Sequence, residues 1–263
     1  IFDRGFLMAD GVYEVTTILD GKLIDFKSHM TRLKRSLKEL NMAEPREMDD
    51  LLEIHQKLIQ VNNINQGGVY LQITRGSADR DFVFPKKSQP TLILFTQEKN
   101  ILEATSAKSG WRVISIDDLR WGRRDIKTIQ LLYSSMAKMT AISAGCDDAW
   151  MVEKGFVTEG TSNNAYIIKN NTIITRELSK DILHGITRAS VLRYAKEAQM
   201  KVIERQFSID EAQNSDEAFI TSASTFVTPV VEIDGKAIGN GRPGAKTQRL
   251  RDIYIEESRK NAI

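Results

Sequence analysis

Residues 12–26, VYEVTTILDGKLIDF, place two β-rich runs, 12–18 and 22–26, on either side of Leu19, Asp20 and Gly21. An Asp-Gly pair there suits the two positive-φ positions of a tight hairpin turn, so the chain is expected to open as an antiparallel sheet. After it, Ser28 can cap a helix whose Leu33, Leu37 and Leu40 share one face. A second helical pattern covers about 46–62, with Met48, Leu51, Leu52 and Leu58 on its apolar side. In GVYLQITRG (68–76), Val69, Leu71 and Ile73 alternate with Tyr70, Gln72 and Thr74, and the apolar run TLILFT follows at 91–96. The first hundred residues therefore read as a sheet with helices on one face.

Residues 97–110, QEKNILEATSAKSG, are small and polar and are the expected linker between a domain at 1–100 and a second at 111–263. In the second domain, strands are expected at 111–116, 149–152, 165–169 and 218–221. Hairpin turns are expected at Lys154-Gly155, Asn170-Asn171 and Asp234-Gly235, and helices at about 129–144, 187–200 and 245–261. The order departs from regular strand-helix alternation, which predicts an α+β fold in two parts.

The 37 basic and 35 acidic residues leave a net charge of +2 and are mixed along the chain, which gives no reason to propose nucleic acid or a membrane surface as partner. No apolar run reaches the ~18 residues of a membrane span, and no cationic-then-apolar signal segment opens the chain. The chain starts at Ile1 instead of a methionine, which leaves room for residues upstream. The single cysteine, Cys146, rules out an intrachain disulfide framework and a multi-cysteine metal cage; it suits a reducing cytoplasm and a role as a small buried hydrophobe. His29, His55 and His184 are scattered and have no metal-ligand spacing, so no metal is expected.

Four segments and two arginines of the first half can carry chemistry. In LRWGRRDIKTIQLL (119–132), Lys127 sits between Ile126 and a helix expected to begin near Thr128. It is either a solvated surface lysine or an amine kept neutral, and so nucleophilic, by apolar surroundings and nearby arginines. In VTEGTSNNAYII (157–168), Glu159 precedes Gly160 and a cluster of hydroxyl and amide side chains. It serves either a turn or a cationic ring nitrogen, which a carboxylate keeps protonated and electron-withdrawing. In ILHGITRASVLRYAKEAQ (182–199), Gly185, Ile186 and Thr187 open a helix. Thr187 is an ordinary N-cap, or the free amides there cradle a phosphate that Gly185 lets approach closely. The small-residue turn in ITSASTFVTP (220–229) can add donors. Among basic residues, Arg32 stands on the first helix, where a solvated face is the default, and Arg80 in RGSADRDFVFP (75–85) can clamp a carboxylate.

Taken in order, DRGFLMADGVYEV, HMTRL, VYLQITRG, DIKTIQLL, VTEGTSNN, ILHGITR and TSASTFVTPV resemble the segments of the class IV, or fold type IV, aminotransferases over nearly the whole chain. VYEV, VYLQITRG and the RGSADRDFVFP loop are most similar to D-amino-acid aminotransferases. The resemblance implies a smaller N-terminal α/β sandwich, a larger C-terminal pseudo-barrel that binds pyridoxal 5'-phosphate, and a homodimer. Lys127 would be the Schiff-base lysine and proton carrier, and Glu159 the partner of the pyridine nitrogen. Arg32, Ile186, Thr187, Ser222 and Ala223 would hold the phosphate; Ala223 stands where many relatives have a threonine, so only its backbone N–H remains. Leu183 would pack against the ring, and Tyr13 would line the substrate side. In D-amino-acid aminotransferases an arginine and, two residues later, a histidine of the loop bind the substrate carboxylate; here these positions hold Arg80 and Phe82.

The implied reaction is ping-pong transamination between a D-amino acid and a 2-oxo acid, pyruvate or 2-oxoglutarate. An (R)-amine transaminase, a branched-chain transaminase and an aminodeoxychorismate lyase share the lysine, the glutamate and the phosphate residues. The Tyr-x-Arg-Pro strand of the branched-chain enzymes is missing here. A catalytically silent binding protein of the same fold is the alternative from another class.

Overall fold

Four hairpin turns, Asp20-Gly21, Lys154-Gly155, Asn170-Asn171 and Asp234-Gly235, have positive φ at both central residues in the computed structural model, which describes residues 1–263. This conformation matches the right-handed twist of the paired strands and sets where the chain reverses. The residues form two units.

The first unit comprises Ile1–Asn100, Ile126–Leu131 and Ser258–Ile263. Its elements are α1 (Arg4–Met8), β1 (Gly11–Leu19), β2 (Lys22–Leu23), α2 (Phe26–Glu39), α3 (Met48–Asn62), β3 (Gln66–Thr74) and β4 (Thr91–Glu98). The sheet is antiparallel in the order β2-β1-β3-β4. Alternation along β3 buries Val69, Leu71 and Ile73 completely, and Leu33 and Leu37 of α2 with Leu51 and Ile59 of α3 complete that core. The opposite face carries a row of rings, Tyr13 on Tyr70 at 5.5 Å and Tyr70 on Phe95 at 4.9 Å. Ser28 does not cap α2: the helix begins at Phe26 behind Asp25, whose φ of 53° turns the chain directly into it.

The second unit comprises Ile101–Asp125 and Leu132–Glu257. It contains α4 (Thr105–Ser109), β5 (Trp111–Asp117), α5 (Leu132–Ser143), β6 (Asp148–Glu153), β7 (Phe156–Gly160), β8 (Asn164–Lys169), β9 (Thr172–Thr175) and α6 (Ile186–Glu197). There follow β10 (Lys201–Glu204), α7 (Ile209–Gln213), β11 (Glu217–Ser222), β12 (Phe226–Ile233), β13 (Lys236–Ala237) and α8 (Ala245–Asn261), of which the residues from Ser258 on belong to the first unit. The mixed sheet runs β10-β9-β8-β11-β12-β5-β6-β7, with β13 on β12, and it curls so that β7 also lies against β8. Its core includes Trp150, Val157, Ile167, Phe207, Ile220 and Ile233. Cys146 is half-buried against Ala137, Ala141 and Ala149. No helix is long and apolar enough to cross a membrane.

The division differs from 1–100, 101–110 and 111–263 in two respects. Residues 101–110 are not a free tether, because they contain α4, bury Ala107 and pack on β12. Residues 126–131 and 258–263 join the first unit, where Leu23 and Ile263 exchange main-chain hydrogen bonds of 2.8 and 3.1 Å. The sequence pattern did not reveal these returns because their pairing is between main chains, which side-chain periodicity does not encode.

Leu71→Ala is expected to lower the unfolding free energy by about 2–5 kcal/mol. Val61→Ala, on the exposed side of α3, is expected to change it by less than about 0.5 kcal/mol. Urea unfolding of the two variants checks both.

Candidate active site

Residues 126–131 lie beside β1 as an irregular segment with two tight turns, Thr128 N donating to Ile126 O at 2.8 Å and Leu131 N to Ile129 O at 2.9 Å. Tyr13 N donates to Lys127 O at 3.0 Å, Ile129 N donates to Gly11 O at 3.1 Å, and Val12 is bridged to Thr128. Ile126 enters the core and Lys127 faces the other side. There Nζ stands 4.0 Å from the centroid of the Tyr13 ring, a cation-π contact, and it has no carboxylate partner. The helix expected near Thr128 begins only at Leu132, since 127–129 are engaged with β1. The arginines of this segment are each ion-paired: Arg120 with Asp118 and Glu159, Arg123 with Asp125, and Arg124 with Glu153.

On the core side of β1, Glu14 is fully buried and accepts hydrogen bonds from Arg32 Nε at 2.8 Å, Arg32 Nη2 at 2.7 Å and His29 Nδ1 at 2.8 Å. Arg32 is 7% exposed, so it is not the solvated helix-face residue that its position suggests by default. Burial alone would raise the Glu14 carboxyl; the charge and hydrogen bonds of Arg32, helped by His29, outweigh it and hold the group at about 2. The same fork fixes the plane of the Arg32 guanidinium.

Arg80 lies on the exposed connection between β3 and β4. Its guanidinium is 5.7 Å from the centroid of the Phe82 ring, which is 80% exposed, and no hydrogen bond or ion pair ties it to Tyr13 or Lys127. The loop itself is anchored. Buried Arg4 and Arg75 both bind Asp10, at 2.7 and 2.8 Å; Arg4 also holds the Asp81 carbonyl at 2.7 Å, and Phe84 covers the Arg75 guanidinium at 3.7 Å.

In the second unit, Glu159 near the end of β7 is 3% exposed. It accepts from Arg120 Nη1 at 2.8 Å, Asn164 Nδ2 at 2.9 Å and Leu183 N at 3.1 and 3.2 Å. Burial pushes its carboxyl above the usual range, and the Arg120 charge and hydrogen bond are the strongest influences in the opposite direction. Asn164 also binds the Leu183 carbonyl at 3.0 Å, so the Leu183 main chain is held from both sides.

The first-turn amides of α6 at Ile186 and Thr187 have no intrahelical acceptor, and Gly185 supplies no side-chain cap. Thr187 is therefore inside the helix and is not its cap. The space that a Cβ on Gly185 would need is already filled by Asn164 Oδ1, 2.0 Å from that position. Gly185 thus admits Asn164, and through it Glu159, Leu183 and the start of α6 are joined. Asn164 is opposite Thr221 in the β8–β11 ladder, which brings the Ser222–Ala223 turn to the same end of the sheet. Ser222 Oγ is engaged within that turn by Thr225 Oγ1 at 2.8 Å.

The model of the class IV amino-transferases matches residues 11–233, a span that includes both Lys127 and Glu159. The chain belongs to this family. This aminotransferase chain is 38% identical over 251 residues to the D-alanine aminotransferase of Bacillus licheniformis, covering 95% of the chain and 88% of the relative. It is similar to the T.th. branched-chain amino acid aminotransferase solved with pyridoxamine 5'-phosphate, with a TM-score of 0.89, 26% identity and coverage of 98% and 88%. A putative 4-amino-4-deoxychorismate lyase from Legionella pneumophila also gives a TM-score of 0.89 and 26% identity, with coverage of 98% and 94%. The α+β, fold type IV architecture expected from the sequence is thus the one observed.

Because the Glu14 carboxyl is depressed on folding from 4.5 to about 2, its contribution to stability is fully present above pH 4.5 and is lost as pH falls toward 2. Glu14→Gln, which leaves Arg32 buried without its counter-charge, should cost on the order of 3–5 kcal/mol at neutral pH. It should also flatten the acid limb between pH 4.5 and 2, as urea unfolding at a series of pH values will read.

Proposed function

We propose that the chain transfers an amino group between a D-amino acid, with D-alanine as the first donor to examine, and pyruvate or 2-oxoglutarate, in a ping-pong cycle with pyridoxal 5'-phosphate bound at Lys127. The observation that carries this proposal is in the second unit, where a buried carboxylate, Glu159, is tied through Asn164 and Gly185 to the unpaired first-turn amides of α6. A cofactor with a cationic ring nitrogen at one end and a phosphate at the other matches that pair of groups, so the residues present fit it. When bound, pyridoxal phosphate supplies an electron-withdrawing ring that stabilises negative charge at the substrate α-carbon.

Lys127 Nζ, on its apolar ring face, makes the covalent link and carries the α-proton. Glu159 keeps the ring nitrogen protonated, and Leu183, with its main chain fixed, packs against the ring. Arg32, oriented by Glu14, joins the amides of Ile186 and Thr187 and the turn at Ser222 and Ala223 in holding the phosphate. Tyr13 borders the substrate, and Arg80 takes its carboxylate. The D-amino-acid preference is supported by the identity with a D-alanine aminotransferase over 95% of the chain. A cytoplasmic homodimer completes the proposal, in line with the resemblance and with the lone cysteine. The likeness to the Legionella protein motivates a second reaction class, lyase action on aminodeoxychorismate; steady turnover in the absence of any 2-oxo acid would select it.

Lys127→Ala should abolish both the visible absorption of the lysine-linked cofactor and pyruvate formation from D-alanine and 2-oxoglutarate; transamination at the normal rate would remove Lys127 from this role. Arg80→Ala should raise the KM for D-alanine about 10- to 100-fold, the equivalent of losing a charge-assisted contact of roughly 1.5–3 kcal/mol. The KM for an apolar (R)-amine should barely move. Equal effects on the two donors would locate the carboxylate site elsewhere.

A further inference from the structure

Glu159 faces a demand that its own position works against. To keep a ring nitrogen protonated it must be an anion, yet it is almost completely buried, and burial favours the neutral acid. The cation in contact with it is Arg120, at 2.8 Å. Arg120 does not reach Glu159 by chance rotation of a long side chain. Its Nε and Nη2 edge is gripped by both oxygens of Asp118, at 2.9 and 2.7 Å, which leaves Nη1 pointing at Glu159 Oε1.

Asp118 is itself fixed. Its side chain is fully buried, Thr158 Oγ1 donates to it at 2.6 Å, and Arg124, held by Glu153, stands 3.5 Å away. The cluster contains the two cations Arg120 and Arg124 and the three carboxylates Asp118, Glu153 and Glu159, so it has one negative charge in excess. The titratable groups facing Glu159 are Arg120 and Asp118 from the segment after β5, and Tyr166 from β8. Burial pushes the Tyr166 phenol well above its ordinary value and keeps it neutral, although the hydrogen bond with Thr221 pulls the other way.

We infer that Arg120 is a positioning residue for this reaction: locked by Asp118, it fixes the direction and the negative charge of the Glu159 carboxylate toward the bound cofactor. The inference rests on the assignment of Glu159 to the pyridine nitrogen. A bidentate guanidinium is suited to the task because its fork can satisfy Asp118 along one edge and still present a third N–H, which a lysine cannot do with the same geometry.

The test has two arms on the full-length chain. In the first, the Glu159 carboxyl is titrated by carbon-13 NMR without cofactor, the resonance being assigned by its disappearance in Glu159→Gln. Arg120→Gln should raise the midpoint by at least one pH unit, and Arg120→Lys by about half as much. An unchanged midpoint in Arg120→Gln overturns the inference. If that variant does not fold, Arg120→Lys decides in the same way. In the second arm, the Kd of pyridoxal phosphate should rise about ten-fold in Arg120→Gln and in Glu159→Gln, and the double variant should be no worse than either. A shifted midpoint with unchanged cofactor retention in all three would leave the Arg120–Glu159 coupling standing and remove Glu159 from the pyridine nitrogen.

Discussion

Main-chain pairing between residues 126–131 and β1 is the constraint that decides how the first unit presents Lys127. Tyr13 N is bonded to Lys127 O and Val12 is bridged to Thr128, and this fixes the register of the segment against β1. Ile126 enters the core, and Lys127 emerges over the Tyr13 ring. The burial of Ile126 thus ties the register of a chemical group to the apolar core of the first unit. The partner of Lys127 there is the Tyr13 ring, itself stacked on Tyr70, and not a carboxylate.

The second unit solves a different problem, the burial of charge. Glu159 and Asp118 are withdrawn from water only because each meets an arginine and further donors. Asn164 does two jobs there, binding Glu159 and occupying the space that Gly185 leaves open, so the carboxylate and the start of α6 are set relative to one another by a single amide. Such a network is demanding in low dielectric, since a missing partner leaves a buried charge uncompensated. In the first unit Glu14 meets the same demand through Arg32 and His29.

What could be read from the sequence was what is local. The alternation of Val69, Leu71 and Ile73 and the four two-residue turns depend on neighbours within a few positions, and they were legible. The helix boundaries were less so: Asp25, in a left-handed conformation, starts α2 where Ser28 looked like the cap. Lys127 and Glu159 stood out only through the order of the family's segments. Arg120 and Asp10 left no mark, because each gains its meaning from a partner 39 or 65 positions away, Glu159 and Arg75 respectively. Asp and Arg are common surface residues, and only folding reveals which of them are buried together. The burial of Arg32 against Glu14, 18 positions away, was hidden for the same reason.

The loop between β3 and β4 is fastened along its main chain: Ser77 is bridged to Asp3, Ala78 N donates to Phe2 O, the Asp81 carbonyl is held by Arg4, and Phe84 lies on Arg75, while the Arg80 and Phe82 side chains stay exposed. Residues such as Arg80 and Phe82 can therefore be exchanged without disturbing the anchors. Within such a frame, exposed side chains can vary from one relative to another while the fold that carries them stays as it is.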